Sequence, residues 1–197
     1  MSGQKFYLTT AIAYVNDRPG LHHLYGFTGT DALARYHRQR GHEVLFLSGT
    51  DDNATKNDKA AAEAGVPTSE FVARLSAEFK RAEDVFNISY DRFIRTTDPD
   101  HIASVQEFIR RWIANDDVYL SSYEGLYCVG CEAFYEESDL VDGKCEFHPT
   151  RTIERLKEEN FFFRLTKYEQ ALKDLYAKQP DFCVPEIRRN EIGRAHV

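Results

Sequence analysis

Apolar positions first form a short continuous run, Phe6-Tyr7-Leu8-Thr9-Thr10-Ala11-Ile12, which stops at the turn-forming stretch Asn16-Asp17-Arg18-Pro19-Gly20. The period then changes. From about Leu24 to Arg40 apolar residues recur at helical spacing, with Leu24, Phe27, Ala32, Leu33 and Tyr36 expected on one face and Gly41 as the stop. Glu43-Val44-Leu45-Phe46-Leu47 returns to a continuous apolar run, which Gly49-Thr50-Asp51 closes. Strand, helix and strand in so short a stretch predict a βαβ unit with a parallel pair and a right-handed crossover.

Alanine-, lysine- and glutamate-rich residues 56–64 predict a helix ending at Gly65, and a second helix is expected from Thr68 to about Val85. Residues 89–96 have a β-like end. Asp98-Pro99 opens a further helix to Ala114, with proline in the first turn where its missing N–H costs nothing. After Asn115 the pattern turns to short strands, turns and tyrosines through Phe147, so a boundary is expected near residue 115. Phe161-Phe162-Phe163 is an isolated hydrophobic run, and residues 167–178 read as an amphipathic helix.

Composition narrows this picture. The 197 residues are 42% hydrophobic, enough for a core and against wholesale disorder. A net charge of -7 gives no global field for nucleic acid, so any such contact is local. The four cysteines are too few for a disulfide scaffold. No signal peptide or membrane-spanning stretch is apparent, and a soluble, cytoplasmic protein is expected.

Three cysteines cluster as Cys128-Val129-Gly130-Cys131 and, thirteen residues on, Cys145-Glu146-Phe147-His148. Two short ligand pairs suit tetrahedral zinc, and three thiolates with one imidazole would close the site as a structural centre. The alternative is ordinary buried cysteines. Cys183 has no partner motif. Pro19-Gly20-Leu21-His22-His23 opens a helix, whose free amides and dipole attract anions; a surface histidine pair is the plainer reading. Asp51 and Asp52 end a parallel strand, where α/β proteins bind ligands. One could receive an ammonium, or either could cap the next helix.

Taken together, these segments resemble the opening of methionyl-tRNA synthetases. The likeness runs through Thr9 to Asn16, the Pro19–His23 turn, Asp31 to Tyr36, Gly49-Thr50-Asp51, Phe93 to Thr97, Tyr123 to Cys128, Leu140 to Gly143, Glu158 to Leu165 and Arg188 to Glu191. It covers about residues 5 to 192. The resemblance implies an α/β fold: the first half of a Rossmann-type class I synthetase catalytic domain over residues 1–115, then a zinc-knuckle connective insertion over 116–192. It implies activation of methionine by ATP with Mg²⁺, and transfer to the acceptor end of tRNA(Met). By position, Ala11, Ile12, Tyr14 and Asp51 would bind methionine. Gly20, Leu21, His22 and His23 would lie at ATP, with His23 as the catalytic histidine, and Cys128, Cys131, Cys145 and His148 would hold structural zinc.

The chain also departs from the family. Its HIGH tetrapeptide reads Gly20-Leu21-His22-His23, so the first histidine and the glycine are lost. Asn53-Ala54-Thr55 stands where many members have His-Gly-Gln. No KMSKS-like run is present. Residues 193–197 do not fit the family, and Ile192 to Val197 back-translates to ATC GGA AGA GCA CAC GTC, the start of a common sequencing adapter. The expectation is an artefactual tail on a truncated enzyme, with a stand-alone, non-catalytic tRNA- or amino-acid-binding module as the alternative.

Overall fold

The structure, a computed structural model, describes residues 3–131 and 133–188. The family segment at 189–191 and the divergent tail at 193–197 lie outside the described residues. The chain divides into two compact units, one through Glu107 and the other from Phe108.

The first unit is a small parallel sheet with helices. Its central strand is β3 (Glu43–Asp51), which pairs along one edge with β1 (Lys5–Thr9) and then β2 (Ala13–Tyr14), and along the other with β4 (Arg92–Arg95). Every pairing is parallel. The expected first strand is thus split. Thr9 lies opposite Leu47 and Ala13 opposite Thr50, so four steps along one strand match three along the other. The extra residue is a bulge at the Ala11–Ile12 stretch.

Helix α1 (Leu21–Gln39) joins β1–β2 to β3, as the periodicity predicts, but its buried face is different. Phe27, Asp31 and Ala34 are buried, whereas Leu33 and Tyr36 are half exposed and Ala32 is exposed. Asp31 accounts for the shift. Its carboxylate accepts from the Ser89 backbone N–H at 2.8 Å and from Arg35 Nε at 2.6 Å, so a charged residue occupies the inward stripe fully partnered. Helix α2 (Thr55–Ala64) ends at Gly65 in the left-handed conformation, φ 69°. Helix α3 (Thr68–Val85) buries Phe71, Val72, Leu75 and Phe79 against Phe46, Val15 and Phe27. At Gly49 in β3, a Cβ would stand 2.0 Å from the Ile94 carbonyl oxygen, so only glycine lets β4 pair here.

Helix α4 (Pro99–Ala114) follows with no buried residue, and the division between the units falls within it. The second unit contains a three-stranded antiparallel sheet, β6 (Ala133–Tyr135), β5 (Val118–Cys128) and β7 (Ile153–Phe163), with β5 central. The strands are longer than the pattern suggests. β5 and β7 pair over eleven positions, from Val118 opposite Phe163 to Cys128 opposite Ile153. The Phe161–Phe163 run is only the apolar end of β7. Its other end is charged, with Lys157 directly across from Glu124. Beyond β7, Asp117 is buried and accepts from Lys167 Nζ at 2.6 Å and the Tyr168 hydroxyl at 2.7 Å. Helix α5 (Glu169–Lys178) completes the unit.

Candidate functional site

Three strand ends meet at one rim of the parallel sheet: Tyr14 of β2, Asp51 of β3 and Arg95 of β4. Tyr14 and Asp51 are register partners across the pair. The Lys56 ammonium lies 5.2 Å from the centre of the Tyr14 ring. Ile12 and Tyr14 are more than a third exposed and Ala11 is exposed, so this wall is open to a ligand.

The two aspartates have different surroundings. Asp51 accepts from the Asn53 backbone N–H at 3.1 Å and the Thr96 hydroxyl at 3.2 Å. Both bonds use Oδ1. Asp52 is buried, 2.7 Å from Arg95 Nη2 and 2.6 Å from the Thr97 hydroxyl. Neither caps α2, whose N-cap is Ala54, which has no side-chain acceptor. Asn57 holds the turn from below by donating from Nδ2 to the carbonyls of Asp51 and Asp52 at 3.1 and 2.9 Å. The sequence reading singles out Asp51 and Asp52 at this strand end but gives Arg95, Thr96 and Asn57 no place beside them, because a local pattern does not show which strand ends converge.

At the start of α1, the Gly20 N–H donates to His23 Nδ1 at 3.0 Å. This bond requires a neutral imidazole with its proton on Nε2. Burial, then the adjacent His22, holds His23 below the ordinary histidine range and so favours that form. The His22 ring lies 3.8 Å from that of His23 and reaches within 3.0 Å of where a Gly20 Cβ would be. Leu21 is 84% exposed. The histidine pair is therefore not simply a surface pair: His23 caps its own helix, while His22 folds back over Gly20.

Cys128, Cys131, Cys145 and His148 bring their ligand atoms within 4.8 Å of one another. Cys131 Sγ is 3.4 Å from Cys145 Sγ and 3.1 Å from His148 Nδ1. Cys128 Sγ and Cys145 Sγ lie 3.9 and 4.0 Å from His148 Nδ1. Tetrahedral zinc with its usual bond lengths would separate ligand atoms by about 3.7 Å, so the four gather on the scale of one ion and would draw in slightly around it. Cys128 ends β5, and a Cβ at Gly130 would stand 2.5 Å from His148 Cγ, so the knuckle closes only over glycine. Burial pushes the Cys131 thiol up to about 11. Burial also opposes ionisation of Cys145, but hydrogen bonds from Cys131 and His148 outweigh it and bring that thiol down to about 6. Cys183 stands apart from the cluster.

Residues 6–155 match the family described as tRNA synthetases class I (M). The chain belongs to that family. It is 44% identical over 188 residues to the methionine–tRNA ligase of Thermosynechococcus vestitus, covering 95% of this chain and 36% of the relative. It is 46% identical over 190 residues to the enzyme of Mycobacterium bovis, covering 95% and 37%. Mycobacterium tuberculosis methionyl-tRNA synthetase, solved in complex with methionyl-adenylate, superposes with a TM-score of 0.90 at 44% identity, covering 96% of this chain and 38% of that one. The chain thus spans a little over a third of the length of these relatives. No helix among the described residues is long and apolar enough to cross a membrane.

Proposed function

We propose that this chain contributes the amino-acid and phosphate side of a methionine–tRNA ligase site. The observation that carries the reading is Asp51, a strand-end carboxylate oriented by Thr96 and Asn53 beside Tyr14, in a chain with 44% identity to an enzyme solved with methionyl-adenylate. Asp51 Oδ2 would accept from the methionine ammonium, a charge-assisted bond. Ala11, Ile12 and Tyr14 would wall the side chain. The α1 amino terminus at Gly20, Leu21, His22 and His23 would face the ATP phosphates, with His23 donating from Nε2 as negative charge shifts in the transition state. Mg²⁺ would accompany ATP and neutralise phosphate charge.

The attacking carboxylate of methionine needs no base, so His23 acts by electrostatics, and a neutral donor suits that role. Zinc at Cys128, Cys131, Cys145 and His148 would be structural, since four protein ligands leave no open position. The acceptor end of tRNA(Met) would be the partner, and the cytoplasm the compartment.

One observation favours a second reading, a non-catalytic amino-acid- or tRNA-binding module: His22 packs over Gly20 at the start of α1. Methionine-dependent ATP–pyrophosphate exchange separates the two. Exchange that disappears in His23→Ala supports the ligase. Methionine binding without exchange, by this chain and by a full-length family reading frame carrying the same Gly20–His23 tetrapeptide, supports the module.

A further inference from the structure

Glu83 of α3 is fully buried beside the apolar core, where the other buried polar side chains of β3 and α3 are the neutral hydroxyls Ser48, Thr50 and Ser76. Its Oε1 accepts from Ser48 Oγ at 2.7 Å, while Oε2 has no partner among the described residues. One hydrogen bond does not offset burial of an ionised carboxylate. Burial therefore pushes Glu83 up to about 7; the Ser48 bond works against this and Asp84 adds to it. The bond directions follow from counting protons. With Glu83 ionised, Ser48 gives it its one hydroxyl hydrogen and so accepts at its 3.2 Å contact with Thr10 Oγ1; with Glu83 protonated, the carboxyl can donate to Ser48, which is then free to donate to Thr10. The resulting relay joins Thr10, Ser48 and Glu83, and it runs from the pocket wall through β3 into the core.

Thr10 is the last residue before the Ala11–Ile12 bulge, and its N–H also donates to the Leu47 carbonyl at 3.1 Å. Its backbone is held by β3, and its side chain is held by a group whose protonation can change. Asp84 on the same helix and Tyr90, on the segment leading to β4, are the ionisable groups coupled to Glu83. β3 presents Ser48 and the β1–β2 stretch presents Thr10, neither of which titrates.

We propose that Glu83 is a positioning residue for the amino-acid pocket: through Ser48 it orients Thr10 and so holds the bulge that brings Tyr14 beside Asp51. The proposal rests on the reading of Ala11, Ile12, Tyr14 and Asp51 as methionine contacts. Ionisation of Glu83 removes the carboxyl's own hydrogen, fixes Ser48 as its donor and Thr10 as the donor to Ser48, and so sets the direction of the relay beneath the bulge.

The test uses the whole chain, isotopically labelled, followed by NMR with and without methionine. In the wild type, the Thr10, Ala11 and Ile12 amide resonances shift with the same midpoint as the Glu83 carboxyl carbon. In Glu83→Gln that shift is gone, and methionine affinity at about pH 6 stays within about threefold of wild type. In Glu83→Leu, which cannot accept from Ser48, amide exchange over residues 10–13 quickens about tenfold or more and methionine binds about fivefold or more weaker. A folded Glu83→Leu with wild-type exchange and affinity overturns the proposal, as does an unchanged titration of these amides in Glu83→Gln. If Glu83→Leu does not fold, the Glu83→Gln titration decides alone. If the wild type binds no methionine, the pocket reading falls, and the amide titration still decides whether Glu83 governs the bulge.

Discussion

Asp51 and Asp52 are neighbours with opposite roles, and their partners decide which is which. Asp52 is buried against Arg95 and Thr97, so its charge is already compensated. Asp51 is half-buried, and its bonds from Asn53 and Thr96 both fall on one oxygen. Asp51→Asn should therefore weaken methionine binding by about 10- to 100-fold, the value of a charge-assisted bond of about 1.5–3 kcal/mol. It should leave unchanged the affinity of an analogue lacking the amine. Calorimetric titration of both ligands checks this, and an equal loss for both would remove the ammonium role. Gly130 offers a second test at this scale. Gly130→Ala would drive a methyl group into the His148 ring, so metal affinity should fall by about 10- to 100-fold in competition with a chromophoric chelator.

At the scale of elements, the second unit depends on its knuckle at one end and its long hairpin at the other. β6 has three residues and the knuckle has little apolar packing beyond Cys128 and Cys145. Metal binding should therefore supply much of its folding free energy. On chelation, amides between Tyr127 and His148 should lose exchange protection first, while those pairing Val118–Tyr123 with β7 keep theirs. Uniform retention in both segments would count against the metal assignment. The same elements show what a sequence pattern can convey. The β1–α1–β3 unit was legible because one continuous run, one helical period and one glycine stop agree. β7 was not, because its charged half offers only Ile153 and Leu156, three apart and so on opposite faces, which gives no alternation to read; pairing with β5 holds it. The α1 face was misjudged for the opposite reason. Leu33 and Tyr36 have the right period, but Asp31 takes the inward stripe with Ser89 and Arg35, residues the local pattern does not connect.

For the molecule as a whole, the pH profile of stability should carry two opposing signatures. Glu83 is raised from the ordinary 4.5 to about 7 in the fold. As pH rises from 4.5 the unfolded chain gives up this proton before the native state does, so stability is full below 4.5 and declines until about 7. This amounts to about 3 kcal/mol. His23 is lowered in the fold, so its contribution is present above the ordinary 6.5 and is lost as pH falls through and below that value. Glu83→Gln should remove the first slope and leave the second. Urea midpoints at about pH 4.5 and about pH 8 should therefore diverge between variant and wild type only at the higher value. A constant difference would show that Glu83 is charged in the native state. Glu83 was invisible in the sequence, where a glutamate near the end of an amphipathic helix reads as solvent-facing. Only the placement of Ser48 opposite it reveals the pairing.

The bulge at Ala11–Ile12 is a change of parity. Before it, the even-numbered Phe6 and Leu8 stand opposite Val44 and Phe46; after it, the odd-numbered Ala13 stands opposite Thr50. Tyr14 stands at Asp51 because three residues, 10–12, cross from Thr9 to Ala13 while two, Ser48 and Gly49, cross from Leu47 to Thr50; the same chain paired one to one from Thr9 would put Ala13 there instead. Deleting one of residues 10–12 would restore one-to-one pairing and leave Ala13 opposite Thr50, Tyr14 opposite Asp51 and Val15 in the core. The extra residue therefore does not choose which residues pair at the rim; it sets the path of the exposed Ala11–Ile12 stretch between the two strands.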